Sequence, residues 1–136
     1  IPDGGEVVET PVVEEKVSIE IKVGKFQFTD GSWYDGEYVL DGTTSKRQGN
    51  GFLQDGEESY DGEWSNDTMN GEGVYTFSSG ASYTGTFKDG EFEGNGEYKW
   101  VDGATYTGEW HQNKMHGYKT FYFLLNLFFF EILLCL

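Results

Sequence analysis

An all-β fold, an elongated array of consecutive antiparallel β-hairpins joined into one twisted, grooved single-sheet ribbon, is predicted by three features of this 136-residue chain. The first is a repeat. Tyr60-Asp61-Gly62-Glu63-Trp64, Tyr83-Thr84-Gly85-Thr86-Phe87 and Tyr106-Thr107-Gly108-Glu109-Trp110 share the pattern Tyr-x-Gly-x-aromatic, with the tyrosines 23 residues apart; self-similarity at such a period marks a repeat architecture. The second is alternation: ring, glycine and ring stand at i, i+2 and i+4 with polar residues between, the two-residue period of a strand with one buried face. The third is composition. Only 37% of residues are apolar, against about half in an ordinary globular domain, yet 18% are aromatic and there are 20 glycines. Packing is therefore expected to run ring against glycine in thin layers.

In chain order, residues 1–16 are acidic and carry Pro2, Pro11 and Gly4-Gly5, the composition of a disordered lead-in. The opening Ile1-Pro2-Asp3-Gly4, without an initiator Met, reads as that of a fragment. Residues 17–23, Val-Ser-Ile-Glu-Ile-Lys-Val, alternate apolar and polar and suit a capping strand for the array. The repeat domain then runs over 17–123, with units at about 24–33, 34–59, 60–82, 83–105 and 106–123. A second motif, Gly-x-aromatic-x-aromatic, closes each unit: Gly24 to Phe28, Gly73 to Phe77, Gly96 to Trp100. Polar segments such as Ser65 to Asn70 read as loops, and Asp30-Gly31, Ser79-Gly80 and Asp102-Gly103 as turns in which glycine supplies a positive φ. Around Thr43 to Arg47 the unit from Tyr34 carries four extra residues, expected as a longer surface loop. Replacement of Gly85 by valine is expected to disrupt the layer of rings.

Residues 124–136 form an apolar tail outside the repeat pattern. The run from Phe121 to Leu136 is sixteen residues and includes Asn126 and Glu131, short of the roughly twenty needed for a membrane-spanning helix. A short tail anchor and an alternative or incorrectly spliced end both stay open; in water the segment must instead cap the last strand, form a helix on the sheet, or aggregate.

Charge and motif searches exclude several classes of function. The formal charge of −15, with nine scattered basic residues of which only Lys46-Arg47 form a compact pair, opposes contact with nucleic acid and disfavours anionic lipid. A single cysteine, Cys135, excludes an internal disulfide and suits a reducing, intracellular location. Gly71-x-Gly73-x-x-Thr76 and Gly94-x-Gly96-x-x-Lys99 lack the third glycine and the strand-to-helix context of a dinucleotide loop, and no phosphate loop or Gly-x-Ser-x-Gly elbow occurs. His111 and His116, five apart without a nearby cysteine, do not match zinc-ligand spacing and read as solvated loop residues. No Asp-x-Asp-x-Asp-Gly calcium loop is present. Neither catalysis nor a cofactor nor a metal is expected.

Tyr-x-Gly-x-Trp, a polar loop, then Asn-Gly or His-Gly leading to Gly-x-Tyr-x-Phe at a 23-residue period resembles the MORN repeat, the membrane occupation and recognition nexus. The resemblance covers units beginning at Tyr34, Tyr60 and Tyr83, a partial unit before them and an incomplete one from Tyr106. Between Trp64 and Gly117 it is most similar to the small MORN-only proteins of ciliated and germ cells. It implies a ribbon of hairpins acting as a non-catalytic cytoplasmic adaptor, in a cytoskeletal or ciliary/flagellar assembly. A membrane-tethering module and a targeting module of a larger enzyme are the alternatives. The expected partner is a protein, an extended peptide or amphipathic helix, received on a concave ladder of Tyr34, Tyr38, Tyr60, Trp64, Tyr83, Phe87, Tyr106 and Trp110. The same rings could instead simply hold the repeats together. Membrane contact is not favoured, and a homodimer stays open.

Overall fold

A computed structural model describes residues 19–125 and 128–135, and the side chains of residues 19–117. The lead-in over 1–16 lies outside these residues. Ten strands follow one another: β1 Lys22–Gln27, β2 Trp33–Asp41, β3 Thr44–Asp55, β4 Glu58–Ser65, β5 Thr68–Thr76, β6 Ser82–Lys88, β7 Glu91–Lys99, β8 Thr105–His111, β9 Lys114–Leu125 and β10 Phe128–Cys135. They form one sheet whose strand order is the chain order, each pair antiparallel. No helix occurs among the described residues. The alternation read from the sequence carries through: in β4, Tyr60 and Trp64 are buried while Asp61 and Glu63 are exposed.

Two kinds of turn border the ribbon. Along one edge, Asn66-Asp67, Asp89-Gly90 and Gln112-Asn113 each have positive φ at both positions, as a two-residue type I′ hairpin requires. The predicted loop over Ser65 to Asn70 is thus a two-residue turn, with Ser65 paired to Thr68 and Trp64 to Met69. Each of these turns also folds back on the preceding unit: the N–H groups of Asp67, Gly90 and Asn113 donate to the carbonyls of Arg47, Met69 and Phe92 at 2.9–3.1 Å. Along the other edge, Phe28, Phe77 and Trp100 accept from Gly31, Gly80 and Gly103 and donate to Ser32, Ala81 and Ala104. Asp30 and Asp102 steady two of these turns by accepting from the N–H two residues on.

Three expectations are corrected. The predicted capping strand over 17–23 does not form as such: Ile19 to Ile21 lie outside strand, Val17 and Ser18 outside the described residues, and the first strand is β1 from Lys22. Ile19, Ile21 and Val23 are 73%, 55% and 74% exposed; with no second layer on that side of the sheet among the described residues, extending the strand buries nothing. The four extra residues near Thr43 do not make a loop either. They lengthen the β2–β3 hairpin to a turn at Gly42-Thr43, with Asp41 opposite Thr44 and Tyr38 opposite Arg47. Four residues add two to each strand, so every side chain keeps its face. His111 and His116 sit in β8 and β9 rather than in loops, both exposed.

The strand β9 crosses the predicted boundary at 123/124, and β10 pairs back on it from Phe128 opposite Leu125 to Cys135 opposite Tyr118. Of the three fates open to the apolar tail, the backbone takes the first, capping the last repeat strand. No helix of the described residues is long and apolar enough to cross a membrane.

Candidate functional site

The repeated motif builds its layer around a bulge. In β2, β4 and β6 the pairing register shifts between the motif glycine and the aromatic that follows, at Gly36/Tyr38, Gly62/Trp64 and Gly85/Phe87. Between the flanking pairs the motif strand has one residue, Glu37, Glu63 or Thr86, against three on β3, β5 or β7, so the bulge lies in the partner strand and the single residue has no ladder partner on that side. The tyrosine that opens each motif supplies the missing bond: Tyr34, Tyr60 and Tyr83 hydroxyls donate to the carbonyls of those residues at 2.6, 2.9 and 3.1 Å, and Tyr106 to that of Glu109 at 3.0 Å. To reach across, each ring lies on its own glycine and, for Tyr34, Tyr60 and Tyr83, on the glycine paired with it in the next strand. A Cβ on Gly73 would stand 2.5 Å from Tyr60 Cε2, a separation that real side chains do not occupy. Rings do cover glycines as expected, with the covering tyrosine coming from the glycine's own strand as well as from the neighbouring one.

Trp64 and Trp110 tie successive units together by donating Nε1–H to the carbonyls of Gly51 and Gly96 at 3.0 and 3.2 Å. The rings also meet edge to face in one continuous zigzag. Trp64 lies 5.6 Å from Tyr34 and 5.1 Å from Tyr60; Phe87 lies 4.9 Å from Tyr60 and 5.2 Å from Tyr83; Trp110 lies 5.2 Å from Tyr83 and 5.3 Å from Tyr106. Each contact of this geometry adds about 0.5–1.5 kcal/mol beyond burial.

This arrangement decides the status of the eight predicted groove residues. Tyr34, Tyr60, Trp64, Tyr83, Phe87, Tyr106 and Trp110 are 0–5% exposed; they are the core and present no free ring face. Tyr38 alone is half-buried, edge-on to Phe26 at 4.9 Å. The accessible surface on this side is a second tier packed on the zigzag, in which Met69, Tyr75, Phe77, Phe92, Tyr98 and Met115 are half-buried. Part of it was visible in the sequence, because Met69, Phe92 and Met115 themselves recur every 23 residues, each paired with the motif aromatic.

The second tier encloses hollows. One of about 260 Å³ is lined by Leu53, Tyr60, Trp64, Met69 and Tyr75, with Arg47, Asp55, Glu58 and Asp67 among its walls. Another, of about 340 Å³, lies between Met69, Tyr75, Phe77, Gly90, Phe92 and Asn113. A third, of about 110 Å³, lies between Phe26, Phe28, Tyr34, Tyr38, Arg47 and Asp67. Sequence reasoning missed Arg47. It occupies the place that Met69, Phe92 and Met115 hold in later units, its guanidinium 4.0 Å over the Trp64 ring and its Nε donating to Asp67 Oδ1 at 2.6 Å.

Electrostatics follow from these contacts. Burial pushes the Asp67 carboxyl up, but the Arg47 side chain and backbone N–H outweigh it and hold the group below its ordinary value. The Tyr75 hydroxyl, donating to Glu58 Oε2 at 2.5 Å, holds Glu58 down. Burial, with the hydrogen bond to Glu58 second, pushes Tyr75 up to about 12, and burial, partly offset by Arg47, does the same to Tyr34. Tyr60, Tyr83 and Tyr106 are raised for the same first reason. A tyrosine whose folded pKa exceeds its unfolded value near 10 contributes stability that is complete below pH 10 and is lost as pH rises through the folded value. Absorbance at 295 nm during alkaline titration is thus expected to show a late group of tyrosines ionising together with loss of the far-ultraviolet β signal, around pH 12. Complete ionisation near pH 10 with the sheet intact would contradict the buried zigzag.

Among the described residues, no group of three or more His, Cys, Asp or Glu side chains could hold a metal ion. The family model for the MORN repeat matches residues 60–82, 83–105 and 106–118. No curated protein matches the chain.

Proposed function

Because residues 60–118 belong to the MORN repeat family, a non-catalytic type of repeat that binds proteins or membranes, we propose that this chain is a scaffold that takes a segment of a partner protein along its second aromatic tier. The carrying observation is the repetition of hollows on one face, where half-buried Met69, Tyr75, Phe77 and Phe92 stand over a closed core. The other face is lined by hydrogen-bonded polar pairs such as Thr86 with Glu72 and Thr107 with Glu97. Interfaces favour Tyr, Phe and Met in this setting. The net charge of −15 weighs against an anionic membrane as the partner. A cytoplasmic place in a cytoskeletal or ciliary assembly is part of this proposal and rests on the motif resemblance of residues 64–117 alone.

The test is selection of binders from a displayed random-peptide library, followed by measurement against two variants. Met69→Glu places a charge between two hollows, and Val74→Glu places the same charge on the opposite face, where Val74 is 40% exposed. Selected peptides are expected to lose at least about tenfold in affinity for Met69→Glu, the effect of roughly 1.4 kcal/mol, and to bind Val74→Glu as they bind the unaltered chain. Equal binding to both variants, or recovery of anionic vesicles in place of peptides, would remove this reading.

A further inference from the structure

The spacing and charge of the second tier select among the segments it could receive. Successive units are two strands apart, which sets their positions along the ribbon at about 10 Å intervals. An α-helix rises about 10.5 Å in seven residues and returns to nearly the same face, so side chains seven apart meet equivalent places in consecutive units. An extended strand covers the same distance in about three residues, an odd number, and so turns alternate side chains away from the tier. A polyproline II segment also returns after three residues, or about 9.3 Å, but it is thin. The carboxylates bordering the first hollow come from opposite ends of the strands: Asp55 and Glu58 beside the Gly56 turn, Asp67 in the Asn66-Asp67 turn. Between Glu58 and Ser65 lie eight strand residues, roughly 25 Å. A helix about 10–12 Å across, with long basic side chains spread to both flanks, spans more of that width than a single extended chain.

One side chain already shows what this surface holds. Arg47 lies flat on Trp64 and is bonded to Asp67 through its Nε and, at 3.0 Å, from Nη2 to the Asp67 carbonyl. A guanidinium is thus accommodated between ring and carboxylate within the tier. Arg47 and Asp67 also wall both the 110 and the 260 Å³ hollows. Their contact divides the surface, leaving the stretch from Leu53 and Met69 onward as the continuous part.

We infer that this stretch receives a basic amphipathic α-helix whose apolar side chains recur every seven residues, one seated per 23-residue unit. The inference rests on the second tier being the binding surface. It is tested with three synthetic peptides of about 21 residues, some 31 Å as a helix, matched in lysine and leucine content. In the first, leucines follow a heptad stripe; in the second they alternate; in the third they fall at every third position between prolines. Calorimetric titration and far-ultraviolet circular dichroism are run on the full chain and on Met69→Glu and Val74→Glu. The heptad peptide is expected to bind at least tenfold more tightly than the others and to gain helical signal on binding. It is also expected to weaken as salt is raised, and to fail against Met69→Glu but not Val74→Glu. If the alternating or proline-containing peptide binds best and still depends on Met69, the helix is wrong while the surface stands. If the heptad peptide binds both variants alike, the surface itself is wrong. If none binds, the helix inference falls, and the library selection decides the surface separately.

Discussion

Replacing Gly85 with valine is expected to lower the stability of the array by about 3 kcal/mol, the upper end of the usual range for overpacking, seen as a fall in the urea midpoint at unchanged slope. A Cβ at this position would lie 2.6 Å from the Asn95 carbonyl oxygen, 2.6 Å from Gly96 Cα and 2.8 Å from the Tyr83 hydroxyl. Two of these atoms are backbone of the neighbouring strand and cannot rotate aside. Separating the strands would break the ladder between β6 and β7, and the Cβ against the Tyr83 hydroxyl would push it off the Thr86 carbonyl. Gly24 is the comparison. There the nearest atoms are ring carbons of Tyr38 and Phe26, at 3.1 and 3.3 Å, which can tilt, so Gly24→Ala should cost under about 1 kcal/mol. Equal effects at the two sites would show that ring-over-glycine packing is not what sets the strand separation.

Tyr83→Ala should be as damaging or more so, at about 3–5 kcal/mol for loss of a buried aromatic ring. Tyr83 is 0% exposed, stacks on Phe92 with centroids 3.8 Å apart, and meets Phe87 and Trp110 edge to face. Removing the ring cuts the zigzag in the middle of the array. Tyr83→Phe keeps the ring and loses only the hydroxyl bond to the Thr86 carbonyl opposite the bulge, for which about 1 kcal/mol is expected. Thermal unfolding of the two variants separates packing from hydrogen bonding; a phenylalanine as destabilising as the alanine would place the weight on the bulge. Loss of partner binding in Tyr83→Ala would report unfolding, which is why Met69 is the position for testing recognition.

Much of this architecture was legible because the unit is redundant. Tyr60, Tyr83 and Tyr106 announce the period, and glycine two residues on tells which face each strand buries. Turn geometry was harder to read. Gln112-Asn113 adopts the same positive-φ pair as Asn66-Asp67, although glutamine carries no such preference; the pairing of β8 with β9 imposes it. The extra residues near Thr43 looked like a loop because Thr, Ser, Lys and Arg are polar, yet paired to Tyr38 through Asp41 they continue the strand. The candidate site was legible only as one face of the sheet. Periodicity identified the rings that face one side, but it cannot tell which of two ring tiers lies beneath the other. That depends on Tyr34, Tyr60, Tyr83 and Tyr106 each bending across a glycine to reach the carbonyl at the register shift, a contact three residues along the chain with no compositional mark of its own. Arg47 was hard to align for a related reason: the connection from Leu53 to Tyr60 is one residue shorter than that from Tyr75 to Tyr83, so Arg47 stands 22 residues before Met69 where Met69 stands 23 before Phe92.

The strand order, identical to the chain order from β1 to β10, has a consequence for how such a molecule changes over time. Among the described residues no strand pairing closes the sheet on itself, so neither end strand constrains the number of units between them. Duplicating or deleting one 23-residue segment lengthens or shortens the object by about 10 Å while leaving every junction chemically the same. Reach is therefore a quantity that can be altered in whole steps by a single genetic event, and a chain built this way can be matched to the distance between two attachment points without redesigning either end.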